Sequence, residues 1–316
     1  MKPTLSQVHI QAALSDLSVA YMQEAPSVAE RLFPRVSVSK QSDYYFVWSK
    51  ADMWRPEAKK RSPGTDFARM GMGLSSEPYA TIQYGLEYPI PDEIRANQDA
   101  AIDLEMTGTM TLVDQHYLRQ DLDFATDFFT SSSGWTAGTV STAWSTVATG
   151  TPVTDIIAGA RAIRQALGAS ARYRLVGLGG EKIRSALLTS DQVRDRTKYV
   201  MAQTANAIEQ TLAGVLGLDE LIIDGREYNT KKEGVAPVYA PVFDRGFLIV
   251  ARPIAPGLNT PSAGYTFAWD EGGRGDMYIE MYRDEIKKQD VLRSVCHYDQ
   301  KQVAADLGVY FNNAVA

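Results

Sequence analysis

The sequence predicts an α+β fold, a compact mixed half carrying extensions that cannot stand alone, and three observations predict it. Segments of period two, such as "YATIQYGLEYPI" with Ala80, Ile82, Tyr84, Leu86 and Tyr88 on one face, read as strands. Segments of helical period, such as Ile102, Met106, Met110, Val113, Tyr117, Phe124 and Phe128, read as helices. Two early stretches have too few apolar neighbours in sequence to bury their own apolar faces.

The first of these is an arm. "VHIQAALSDLSVAYM" places Ile10, Leu14, Leu17 and Tyr21 at helical spacing, and Pro26 and Pro34 break the chain after it. The strands "RVSVSK" and "DYYFVWSK" follow, then "ADMWRPEAKKRSPGTDFARMGMGLSSEP", dense in Pro, Gly, Ser and charge, before "YATIQYGLEYPI". Residues 36–88 therefore read as a two-stranded protrusion with an irregular tip. An isolated ribbon of that kind is marginal in water and needs a partner.

Pro91, Asp92 and Glu93 open a long helix, where such residues suit the first turn. Over 101–129 it is about 40 Å long at ~1.5 Å per residue, and its Met-rich stripe reads as core. "TSSSGWTAGTVSTAWSTVATG" is a low-charge connector carrying Trp135 and Trp144. "TPVTDIIAGARAIRQALG" is a second helix, with Thr151 as N-cap, Pro152 in the first turn and Gly168 at the stop. A mixed section comes next: strand "RYRLVGL", helix "GEKIRSALL", turn "SDQVRDRTKY", helix "TANAIEQTLAGVLG", and strands "ELIID" and "GFLIVARP". Four further strands, "GYTFAWD", "DMYIEMYRDE", "DVLRSVCHYD" and "LGVYFNN", close the chain.

Composition narrows the function. With 316 residues, 45% of them hydrophobic and 22% charged, the chain can bury a large core. Lys and Arg number 32 against 38 Asp and Glu, a net charge of −6, which argues against a dominant nucleic-acid-binding surface. Cys296 is the only cysteine, so no intramolecular disulfide forms, as expected of a chain made in a reducing cytoplasm. The N-terminal stretch has one lysine and no long apolar core, unlike a secretory signal, and no run approaches the ~18 apolar residues of a membrane span.

Reactive constellations are sparse. His9, His116 and His297 lie far apart, none beside a second metal ligand at helical or strand spacing. Cys296 and His297 are neighbours on a strand and so point to opposite faces. "VGLGGEKIRSAL" has glycines between strand and helix but lacks the spacing of a dinucleotide or phosphate loop, and reads as a tight turn. The paired carboxylates Asp121 and Asp123, and Asp284 and Glu285, sit in charge-mixed stretches, and "RGD" at 274–276 reads as a turn. No catalytic, metal or cofactor site is expected.

The order of elements, together with particular segments, resembles the major capsid proteins of tailed bacteriophages, the Hong Kong 97-type fold. "SVSKQSDYYFVWSKADMW" and "YGLEYPIPDEIRANQD" resemble that family's extended loop and the start of its spine helix. "RYRLVGLGGEKIRSALLTSDQVRDRTKY", with Asp195, Arg196, Lys198 and Tyr199, and "LAGVLGLDELIIDGREYNT" resemble its axial domain. "APGLNTPSAGYTFAW" and "MYRDEIKKQDVLRSVCHYDQKQVAADLGVYFNN" resemble its closing strands, and 131–151 is the weakest part of a likeness that covers nearly the whole chain.

The resemblance implies an N-terminal arm at 1–35, an extended β loop at 36–90, a peripheral domain with the spine helix at 91–168, an axial domain at 169–262, and strands returning to the peripheral domain at 263–316. It implies a virion shell assembled in the host cytoplasm from hexameric and pentameric capsomers. Arm and loop would reach neighbouring capsomers, and the shell would enclose double-stranded DNA without sequence-specific binding. Portal, scaffolding and decoration proteins are the further partners, with no membrane and no cofactor. "VHIQAAL" follows Met1 almost at once, so a separate scaffolding protein or none is expected. Tyr44, Phe46, Trp48, Trp54, Tyr79, Asn229, Thr230 and Lys231 are the candidate inter-subunit contacts. The alternatives are an encapsulin-like nanocompartment shell, an α+β hydrolase with a site near "VGLGGEK", and a tail-tube or other virion protein.

Overall fold

The computed structural model describes residues 27–48, 50–97, 104–168, 172–197, 205–255, 260–271 and 277–315. The expected arm helix with Ile10, Leu14, Leu17 and Tyr21, together with His9, Ile102, the 198–199 pair and the 274–276 tripeptide, lies outside them.

Two five-stranded sheets organise the chain. The first is built on the fourteen-residue strand β13 (Gln289–Gln302). β12 (Met277–Asp284) and β4 (Ile82–Pro91) flank it on opposite edges, both antiparallel. The end of β13 pairs with β11 (Gly264–Trp269), and β11 takes β1 (Arg35–Val38) in parallel. The second sheet runs β5 (Thr136–Ala137), β14 (Gly308–Phe311), β10 (Phe247–Pro253), β6 (Tyr173–Gly180) and β7 (Glu220–Asp224). Its centre, β10, is buried from Phe247 through Ala251. The unbroken apolar run "FLIVA" fits a strand covered on both faces.

The glycines of β6 serve packing. A Cβ on Gly177 would lie 2.7 Å from Leu218 and 2.8 Å from the Phe247 ring, so only glycine lets these side chains close over the strand. Helix α5 (Pro152–Leu167) lies against this sheet through Val153, Ile156, Ala160 and Ile163 and ends at Gly168, whose φ is 67°. α6 (Glu181–Thr189), α7 (Asp191–Thr197) and α8 (Ala205–Leu216) complete the unit. The segment expected as a turn over 190–199 thus folds mainly as α7.

Trp135 and Trp144 anchor the connector that composition left without a role. Both are buried, Trp135 donating to the Phe128 carbonyl at 2.8 Å and Trp144 to Asp155 at 3.0 Å. Trp144 also meets the Phe247 ring edge-on at 5.6 Å.

The long helix α4 (Leu104–Phe128) joins the two units. Its buried face is Gly108, Leu112, His116, Gln120, Asp121, Phe124 and Phe128. An i+4 row drifts by about 40° per step, so this face swings through roughly half a turn along the helix. Its first half lies on β4 and β13, and its last turn enters the main core, where Phe124 packs on Phe33 at 5.0 Å. The expected Met-rich stripe agrees only at the C-terminal end. Met106 is 56% exposed and Met110 41% exposed. Gly108 sets the phase: a Cβ there would stand 2.7 Å from the Tyr88 ring, so the helix approaches the sheet on this side.

Three expectations about organisation change. The two-stranded protrusion expected over 36–88 is β2 (Ser42–Trp48) paired with β3 (Leu74–Ala80), most of which lies in the segment expected as an irregular tip, whereas β1 and β4, the strand that "YATIQYGLEYPI" supplies, are bonded into the first sheet. The closing segment 263–316 divides: β11, β12 and β13 join the sheet under α4, whereas β14 pairs with β10 in the second. α5, expected with the spine helix in 91–168, packs on that second sheet, its Gly159 facing the Phe311 ring.

Candidate assembly surface

The β2–β3 ribbon is tied down at its base, its far end is held by the Lys50–Asp306 ion pair and by Trp54 against Gly168, and the faces of its strands between are largely bare. At the base, Tyr79 is buried and stacks on Phe267 with ring centres 4.7 Å apart, and Tyr45 stacks on the same ring at 5.4 Å. The Ala80 N–H donates to Asp299 at 2.9 Å, and the Thr81 N–H donates to the Gln41 carbonyl at 2.9 Å. Beyond the base, strand alternation turns Tyr44 and Phe46 to one face, where they are 61% and 67% exposed. The next strand adds Leu74, and the tip adds Phe67, Met70 and Met72, all exposed.

The candidate contacts therefore separate. Tyr44 and Phe46 stand free for a partner. Trp54 is half-covered, with the Lys50 ammonium 4.7 Å from its ring and Gly168 beside it. Tyr79 is a correction: its ring is consumed inside its own chain by Phe267 and holds the ribbon's root. The Trp48 side chain lies outside the described residues.

Asn229, Thr230 and Lys231 lie at the start of the loop joining β8 (Glu227–Asn229) and β9 (Tyr239–Pro241). Asn229 Oδ1 accepts from the N–H of Lys231 at 3.0 Å and of Val238 at 3.1 Å, and Thr230 Oγ1 donates to the Val238 carbonyl at 3.0 Å. The two polar side chains shape the loop itself, and Lys231 alone of the three points a free end outward.

Sequence reasoning missed a buried ion cluster where three distant segments meet. Asp121, in the middle of α4, has no exposure. Its Oδ1 accepts from Ser27 Oγ at 2.9 Å and from the Ala29 N–H at 2.8 Å, capping the short helix α1 (Val28–Leu32) from 92 residues away. Arg226 Nη2 lies 2.5 Å from its Oδ2, and Arg226 Nε donates to Asp224 at 2.9 Å. Two carboxylates against one guanidinium leave a buried excess of negative charge. Desolvation pushes Asp121 up to about 6, against the opposing pull of Arg226. The mixed charge of the region had suggested solvated carboxylates, and only the fold reveals the burial.

A second polar seam runs between α4 and β13. His116 Nε2 lies 2.8 Å from Ser294 Oγ, and burial lowers the His116 pKa. Gln300 donates to the Gln120 carbonyl at 3.2 Å. Cys296 faces this seam, 3.7 Å from Gln120 Nε2, whereas His297 faces Trp269 on the other side of the strand, as alternation required. Gly180, in the nucleotide-like stretch, would place a Cβ 2.1 Å from the Phe243 carbonyl, and Lys182 is paired with Asp244 at 2.5 Å. A phosphate at that turn would meet an acceptor. Among the described residues no group of three or more His, Cys, Asp or Glu gathers as metal ligands, and no helix is long and apolar enough to cross a membrane.

No protein-family model matches the chain, and no curated protein matches it. Solved structures do. A phage-related protein from Bordetella bronchiseptica RB50 aligns over 97% of this chain and 97% of its own, with TM-score 0.67 and 18% identity. The mature capsid of bacteriophage PhiM1 aligns over 94% and 90%, with TM-score 0.57 and 14% identity. The holo-SrpI encapsulin complex from Synechococcus elongatus PCC 7942 aligns over 97% and 95%, with TM-score 0.54 and 8% identity. At these identities the likeness establishes the fold. The chain has the Hong Kong 97-type α+β capsid fold over nearly its whole length, as the order of its elements implied.

Proposed function

We propose that this chain is the major capsid protein of a tailed phage, whose copies join as hexamers and pentamers into an icosahedral shell around double-stranded DNA. The observation that carries the reading is the bare ribbon. Tyr44 and Phe46 stay in water although the same chain buries a large core elsewhere, and apolar surface left out in this way marks an interaction site. The full-length likeness to capsid subunits supports the same reading.

The work is mechanical. Rings of copies need heterologous contacts, in which different patches of neighbouring copies meet and close. Each apolar Å² covered contributes about 25 cal/mol, less the cost of ordering the limbs. The second sheet, with α5 and β14, serves as the axial unit around the capsomer centre; the first sheet and α4 form the peripheral unit. A net charge of −6 keeps the inner wall from gripping DNA that must be packed and released. Portal, scaffolding and decoration proteins are the further partners, the finished shell is the virion head built in the host cytoplasm, and no catalytic step or cofactor enters.

Negative-stain microscopy of the expressed chain tests the reading, with closed shells of uniform diameter as the expected outcome. Deleting Ala51–Pro78 should leave a folded remainder that makes no shells, and normal particles from that variant would overturn the role of the ribbon. The likeness to an encapsulin favours one second reading, a compartment that encloses a protein cargo. Shells that leave the expressing cell loaded with one co-purifying protein would select it.

A further inference from the structure

We infer that the end of the second sheet beside α1 is a phosphate-binding site, formed by Arg174 and Arg252 with Arg31 and Arg172 at its margins. β6 and β10 are antiparallel, and their register sets Arg252 directly opposite Arg174. Opposed residues of such a pair point to one face with Cβ atoms about 5 Å apart, and like charges there repel. Neither guanidinium meets a carboxylate within ion-pairing distance among the described residues. Arg174 is exposed and Arg252 half-buried, so both can be reached from solvent. A chain keeps a local conflict of this kind where a function needs it.

The surroundings hold the pair in place without neutralising it. Arg252 Nη1 donates to the Arg31 carbonyl at 2.7 Å, which fixes the guanidinium against the last turn of α1. On β7, Glu220 stands opposite Val176, on the face that Arg174 shares, and pairs with Arg31 at 2.5 Å. Glu30 pairs with Arg35 at 3.1 Å, and Asp219 Oδ2 accepts from the Leu175 N–H at 2.7 Å. Arg172 ends the ladder, its carbonyl accepting from the Ile254 N–H at 3.1 Å. The neighbourhood thus holds five arginines and three carboxylates that are already engaged, a local charge of +2 in a chain carrying −6. One phosphate dianion or two backbone phosphates would close that balance. Every cation here is an arginine, whose planar fork bonds two oxygens of one phosphate at once. The other face of the sheet carries α5, whose Gly159 packs on the Phe311 ring, so that helix leaves the arginines open. Free phosphate and the phosphodiester backbone of DNA share this chemistry. The negative charge of the rest of the chain confines contact with a polyanion to this one patch.

Binding is read on the dispersed full chain, by anisotropy of a labelled DNA duplex and by calorimetry with inorganic phosphate. R174Q combined with R252Q should weaken binding roughly tenfold or more at low salt, and for the duplex should lower the slope of log affinity against log salt by about two. R174Q alone, which breaks no contact among the described residues, should lose part of that affinity at an unchanged Tm. K231Q combined with K232Q makes the same change of charge on the exposed β8–β9 loop and should leave binding within about twofold. Arginine-dependent binding of the duplex assigns the DNA backbone as the source, and arginine-dependent binding of inorganic phosphate alone assigns a free ion; either supports the inference. Binding of neither probe, equal weakening by the lysine control, or tighter binding of poly-glutamate with the same arginine dependence overturns it. Failure to bind leaves the shell reading standing, and failure to form shells leaves the binding result untouched.

Discussion

β2 and β10 are each seven residues long and rich in apolar or aromatic side chains, and they differ most in how they are covered. β10 sits in mid-sheet with both faces covered, whereas β2 has one neighbour and turns Tyr44 and Phe46 to water. Strand formation therefore tells nothing about cover. β10 is covered on both faces by its own chain, and β2 keeps Tyr44 and Phe46 in water.

The largest break in that comparison is Phe247→Ala. Loss of a fully buried ring beside Trp144 should cost about 3–5 kcal/mol in chemical denaturation. The next concerns Asp121. Its folded-state pKa of about 6 exceeds the ordinary aspartate value of 3.8, so its contribution is fully present below the unfolded value and lost as pH rises through 6. Unfolding free energy should fall by on the order of 2 kcal/mol between pH 4 and 7 from this group. Asp121→Asn keeps an acceptor for Ala29 and should remove that share of the slope; an identical pH profile in the variant would refute the assignment.

Met110→Asp belongs with β2 in the comparison. Read as core, the position should tolerate no charge; at 41% exposure the subunit should lose under about 1 kcal/mol. The smallest effect on the subunit belongs to Phe46→Ser, within about 0.5 kcal/mol by thermal unfolding, accompanied by a fall in particle yield. A large loss of subunit stability would mean that β2 is covered within its own chain.

The legible parts of the fold were those set by local pattern. Alternation located β2, β4 and the closing strands, and Thr151, Pro152 and Gly168 located α5. The phase of α4 was not legible. Hydrophobicity ranks methionine above histidine, glutamine and aspartate, yet the approach allowed by Gly108 turns His116, Gln120 and Asp121 inward, where Ser294, Gln300 and Arg226 wait. Pairings across great sequence distance were also hidden, as in β1 with β11, Arg35 opposite Thr266, or β14 with β10. On the ribbon, aromatic character singled out Tyr44 and Phe46, which the fold leaves exposed. It could not tell them from Tyr79, whose fate depends on Phe267, nearly two hundred residues on.

Asp121 ties together three segments that are far apart in sequence: the start of α1, the C-terminal half of α4 and, through Arg226, the end of β7. A single carboxylate is thus shared by elements of both sheets' surroundings, and its replacement should be felt in all three at once.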